Sequence, residues 1–136
     1  MLYKKNLFRL TILYTFGLIF LALSVFSQKK AYKKSGDKAF ENGNFYGASL
    51  MYREYLKIDS TDTGVAYQYA EACRLNHNHE QAAIWYAKIA ESQYAKPPLL
   101  YFHLGSTLKS IGKYKRAKTA FSAFLKRSEE HTSELQ

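Results

Sequence analysis

From Lys29 onward, apolar residues recur three and four positions apart between short polar interruptions, which is the period of a helix with one buried face. Ala31, Tyr32, Ser35, Gly36 and Ala39 form a narrow stripe that predicts a helix over 29–41. Asn42-Gly43-Asn44 is a turn signal. Beyond it, Ala48, Met51, Tyr52, Tyr55 and Leu56 share one face of a helix predicted over 45–57. Asp59-Ser60-Thr61-Asp62 closes this pair with residues that favour turns and N-caps. The same alternation predicts helices over 64–75 and 79–90, then over 98–111 and 114–126. Pro98 suits a first helical turn because its fixed φ and missing N–H cost nothing there. No stretch alternates in the manner of a strand.

The pairs repeat in register. Ala48, Ala82 and Ala117 stand 34 and 35 residues apart, and four residues beyond each is Tyr52, Tyr86 or Phe121. In the first helix of each pair the matching small residue is Gly36, Ala70 or Gly105. A fixed period of this length marks a helical repeat array. The small residues let the two helices of a hairpin approach closely, and the aromatic rings are expected to fill the space towards the next hairpin. Such an array builds a surface by stacking and carries no chemistry of its own.

These positions resemble the tetratricopeptide repeat (TPR). The third pair matches most fully, through Tyr101, Leu104, Gly105, Leu108, Tyr114, Ala117 and Phe121. The second is weakest, because His79 stands where the repeat usually has an aromatic ring. The resemblance implies an all-α TPR solenoid of three repeats and about six helices, at 29–62, 63–97 and a truncated 98–126. It also implies that the first helices line a groove for a peptide segment or a neighbouring helix. By that resemblance the groove side chains are Lys30, Lys33, Asp37, Phe40 and Glu41, then Tyr67, Glu71, Arg74 and Leu75, then Leu99, Phe102, Ser106, Lys109 and Ser110. The TPR variety that clamps the C-terminal carboxylate of chaperones fits poorly. Lys33 matches its pattern, but Asp37 would repel a carboxylate, and Leu99 and His103 supply no fixed charge.

The two ends read differently from the repeats. Lys4, Lys5 and Arg9 precede an uncharged run from Thr11 to Phe26, and Val25-Phe26-Ser27 offers a cleavage site. This is the layout of a secretory signal peptide over 1–27, with Gln28 as the new N-terminus. The run falls short of the roughly 20 residues that span a bilayer comfortably, and an uncleaved anchor is the alternative. Residues 127–136 match the in-frame translation of a common sequencing-adapter oligonucleotide. They are therefore expected to be an artefact, with the natural protein continuing past Lys126.

Of the net charge of +9 at pH 7, about +8 belongs to the repeats. The leader's three cations and the tail's Arg127 are nearly balanced by Glu129, Glu130 and Glu134. For an exported chain a basic surface points to anionic lipid, polysaccharide or an acidic protein, and nucleic acid is not expected. The single cysteine, Cys73, excludes an internal disulfide framework and reads as a small buried apolar residue. His77 and His79 lie in a turn near Cys73, but a structural zinc site wants four ligands, so no metal is expected there. No phosphate-cradling glycine loop, Ser-His-acid set or carboxylate pair assembles, so neither an enzyme nor a cofactor is expected.

The aromatic-rich repeats, the leader and the stretch Leu108-Lys109-Ser110-Ile111-Gly112-Lys113-Tyr114 also resemble the N-terminal part of certain Bacteroidota envelope proteins. In those, TPRs precede a β-propeller and an OmpA-like peptidoglycan-binding domain, and some are associated with type IX secretion. The resemblance implies a periplasmic or outer-membrane-associated adaptor whose partner is another envelope protein, with later domains that bind peptidoglycan. Membrane contact would then run only through the N-terminal segment, if uncleaved. Two other readings stand beside it: a docking module of an exported enzyme or solute-binding protein, and a membrane-anchored assembly factor.

Overall fold

The computed structural model describes the backbone of residues 2–93 and 97–134, and side chains chiefly over 25–93 and 97–130. Among the described residues there are six helices and no strand. They are α1 (Leu2–Glu41), α2 (Phe45–Ile58), α3 (Thr63–Leu75), α4 (His79–Glu91), α5 (Leu100–Ser110) and α6 (Tyr114–Glu134). Each helix packs on the next along the chain, so three hairpins (α1–α2, α3–α4, α5–α6) stack in a solenoid of the TPR kind.

The turns within the hairpins share one construction. In each, the left-handed residue after the first helix returns a backbone bond: Gly43 N–H to Phe40 O, His77 N–H to Arg74 O, and Gly112 N–H to Lys109 O. The next N–H reaches one residue further back, to Ala39, Cys73 and Leu108 respectively. This pair of bonds closes a helix C-terminus and demands positive φ at one residue. Gly43 and Gly112 supply it at φ 73° and 74°, and His77 is forced to 59°. Two of the second helices, α2 and α4, then start on side-chain N-caps: Asn44 Oδ1 accepts from Gly47 N–H at 2.8 Å, and Asn78 Oδ1 from Gln81 N–H at 3.2 Å. Asp62 caps α3 in the same way, through Val65 N–H at 3.0 Å.

The core is built from the recurring positions. Ala48, Ala70, Ala82 and Ala117 are buried where helices cross, with Tyr52 and Tyr86 beside them. A Cβ built on Gly36 would come within 2.6 Å of the Tyr52 ring, and one on Gly105 within 2.7 Å of the Phe121 ring. The rings of Tyr52 and Phe121 therefore lean onto the first helix of their own hairpin, which the sequence does not anticipate. Tyr86 also meets His103 of the next hairpin, with ring centroids 6.1 Å apart.

Three helix bounds differ from those the periodicity predicts. First, α1 runs without a break from Leu2 through the expected leader to Glu41. Most leader side chains lie outside the described residues. Second, α6 continues through the expected artefact tail to Glu134, and the Arg127 guanidinium lies over the Tyr101 ring at 5.7 Å. Third, α5 begins at Leu100 with no side-chain cap, and Pro98 stands in the turn before it. No helix among the described residues is long and apolar enough to cross a membrane.

Candidate interaction groove

The first helices α1, α3 and α5 carry every residue of the candidate groove except Leu99, which is the uncapped residue just before α5. The structure brings two sets of these residues together. On α3, Glu71 is a hub: the Arg74 guanidinium donates to its carboxylate at 2.6 Å, and His103 Nδ1 of α5 approaches it to 2.5 Å. The Tyr86 hydroxyl of α4 donates to the same carboxylate. The Tyr67 hydroxyl lies 3.1 Å from His103 Nδ1, and the two rings stack. On α1, Asp37 accepts from Tyr52 at 2.9 Å and from Lys33 at 2.8 Å.

A rule links these contacts. Asp37 and Glu71 occupy the same place in successive repeats, and each accepts a hydrogen bond from the tyrosine 15 residues later. The third repeat has Ser106 and Phe121 at those places. The acid and the hydroxyl appear together and disappear together. A buried phenol without an acceptor costs roughly 1–3 kcal/mol, so a hidden tyrosine requires the acid and a phenylalanine does not. Both elements of this rule were visible in the repeat alignment, although the sequence reading assigned the acids to the groove alone. It also missed His103, whose role depends on a side chain reaching between hairpins.

Protonation follows from the bonding. Burial alone would push the Glu71 carboxyl up, but the hydrogen bonds from Arg74 and Tyr86 and the nearby His103 outweigh it and hold the group below the usual range. Burial pushes the phenols of Tyr52 and Tyr86 well above their ordinary value, reinforced by the carboxylates they bond. Tyr67 is pushed up to about 12, by burial and then by the Glu71 charge. All three phenols are therefore neutral at physiological pH, and those of Tyr52 and Tyr86 donate to their carboxylates.

The remaining groove candidates are not gathered into one cluster. Lys30, Glu41, Lys109 and Ser110 are exposed, and Leu75 and Ser106 are half-buried. Ser110 Oγ donates to the Ser106 carbonyl at 3.1 Å. Phe40 packs edge-on against Phe45, with centroids 5.2 Å apart. Leu99 is 47% exposed, and Phe102 is 43% exposed although it leans on Phe121 and Phe124. The acids of this face, Glu41 apart, are engaged within the chain, while Lys30, Lys109 and the Phe102 ring stay open.

Away from this face, His77 and His79 stand edge to face with ring centroids 5.9 Å apart. Cys73 is buried, which pushes its thiol up to about 11. Among the described residues no three His, Cys, Asp or Glu side chains converge as a metal site would require.

No family model matches the sequence, and no curated protein does. Solved structures do match. The TPR domain of Arabidopsis OM64 superposes with a TM-score of 0.63 at 21% identity, over 71% of this chain and 79% of that one. The fold is that of a TPR domain. At this identity the likeness is one of architecture.

Proposed function

We propose that the chain is a non-catalytic protein–protein interaction scaffold that holds an extended segment of another protein along α1, α3 and α5. One observation carries this reading. Asp37 and Glu71 are bonded internally, which leaves a face whose open groups are two cations (Lys30, Lys109), one acid (Glu41) and apolar side chains (Leu99, Phe102). Such a face suits a segment with acidic and aromatic side chains, since opposite charge steers the encounter and rings supply buried area.

The basic n-region, the uncharged run and the small residue at Ser27 support export. On the second resemblance drawn above, the partner is an envelope protein, and the chain is the N-terminal piece of a periplasmic or outer-membrane scaffold. N-terminal sequencing of the secreted product tests this point. A start at Gln28 supports it, and a start at Met1 means that the leader is retained. Reading the gene beyond Lys126 separates a scaffold from the docking arm of an exported enzyme.

Groove binding is tested with arrayed acidic-aromatic decapeptides and their basic counterparts. Acidic peptides should bind more tightly, and more weakly as salt rises. Lys109→Glu should reduce their affinity about 10-fold, the loss of one favourable charge and the gain of a repulsive one. Equal binding of acidic and basic peptides would remove the electrostatic argument.

A further inference from the structure

On a different face, between α4 and α6, the stack leaves a trough. Two adjoining cavities of about 260 and 330 Å³ share Ala87, Leu108 and Arg116. The floor is Leu104 and Leu108 of α5, and the walls are mostly alanine: Ala83, Ala87 and Ala90 on α4, and Ala120 and Ala123 on α6. From Glu80 to Glu91 along α4 the trough is about 16 Å long, at 1.5 Å per residue. Ile84 stands on its α4 wall, 60% exposed.

The charges around this trough sort by helix. The α4 side carries Glu80 and Glu91; Lys113, just before α6, and Arg116 stand on the other. Among the described residues none of these four makes an ion pair, so Glu80 faces Lys113 and Arg116 across the trough without closing on them. An apolar trough with one acidic and one basic wall complements its own copy. A two-fold axis along the trough lays α4 of each molecule over α6 of the other. Both are second helices of a repeat and run in the same direction, so Glu80 at the start of α4 then meets the cations at the start of the partner's α6. Ile84 meets the alanine-lined hollow beside Ala120. An axis across the helices would instead set α4 against α4, bringing Glu80 towards Glu91, a like-charge clash.

We infer that this trough is a homodimer interface in which α4 of one copy packs antisymmetrically against α6 of the other, with Glu80 paired to Arg116 across the two-fold axis. An isologous contact of this kind closes on itself and forms no fibre. Two short helices per side lie at the low end of specific interfaces, so the dimer is concentration-dependent, with a midpoint in the ~micromolar range.

Sedimentation equilibrium of the full chain in mild detergent tests this. The wild type should be a monomer–dimer mixture, and Arg116→Glu and Glu80→Arg should each weaken dimerisation at least 10-fold. The double exchange Glu80→Arg with Arg116→Glu should restore it. Ile84→Asp, a change at an exposed position that leaves the helical circular dichroism intact, should also give monomer. A wild type that is monomeric at 100 times a micromolar concentration overturns the proposal. So does association that Arg116→Glu and Ile84→Asp leave unchanged, which would point to the apolar N-terminal segment, or a double exchange that stays monomeric.

Discussion

Tyr52 and Phe121 occupy the same place in their repeats, yet only Tyr52 carries a hydroxyl, and that hydroxyl bonds Asp37 at 2.9 Å. The ring packs in both cases on a glycine of the facing helix. The ring therefore answers to packing and the hydroxyl to the acid. Tyr52→Phe should cost about 1 kcal/mol, the usual worth of one such bond. Because Asp37 loses its second donor in that variant, the two residues should be coupled. Replacing both, Asp37→Ser with Tyr52→Phe, copies the third repeat and should cost about 1 kcal/mol less than the two single changes added together. Urea denaturation of the four proteins gives the cycle, and strict additivity would show that the hydroxyl and the carboxylate act independently.

The hairpin turns show the same logic at the level of the element. Gly43 and Gly112 take positive φ without strain, whereas His77 takes 59° with a β-carbon. A left-handed non-glycine residue costs roughly 1–2 kcal/mol, offset by the greater chain entropy that glycine loses on folding. His77→Gly should thus stabilise the α3–α4 hairpin by about 0.5–1 kcal/mol, seen as a rise in Tm. An unchanged or lower Tm would mean that the His77 ring, set against His79, offsets the strain. The turns were legible because Asn42-Gly43-Asn44 announces itself, and because the repeat register carries the break over to His77 and to Gly112. The stacking was legible too, since glycine, alanine and aromatic residues recur at one spacing. Helix ends were less so. The start of α5 at Leu100 rather than Pro98, and the continuation of α1 and α6 past their expected limits, depend on neighbours and on helical propensity that no periodic core pattern records. The candidate groove was legible as a list of positions. Which of its acids are already engaged was not, because Glu71 is satisfied by Tyr86 and His103 from two other helices.

In the whole molecule, each hairpin of a repeat array is held chiefly by its neighbours, so a polar cluster bridging hairpins weighs on the stack as a unit. Glu71 is that cluster's centre, facing Arg74 on its own helix, Tyr86 on α4 and His103 on α5, with Tyr67 beside His103. Its carboxyl titrates below the usual range in the folded chain despite burial. A group of this kind contributes stability that is fully present above its unfolded pKa, about 4.3 for glutamate. That contribution is lost as pH falls through the lower folded value. Glu71→Gln keeps the shape and removes the charge. It should cost about 2 kcal/mol at pH 7, in the range for hydrogen bonds to a charged group. The deficit should persist at pH 5 and shrink as pH falls below about 4.3, because the unfolded carboxylate takes up its proton before the folded one does. Denaturant midpoints of the two proteins at pH 7, 5 and 3 follow this directly. A deficit that stays constant down to pH 3 would assign the loss to shape and side-chain packing. One that closes on acidification assigns it to the carboxylate, and makes Glu71 the residue that ties the second hairpin to the third.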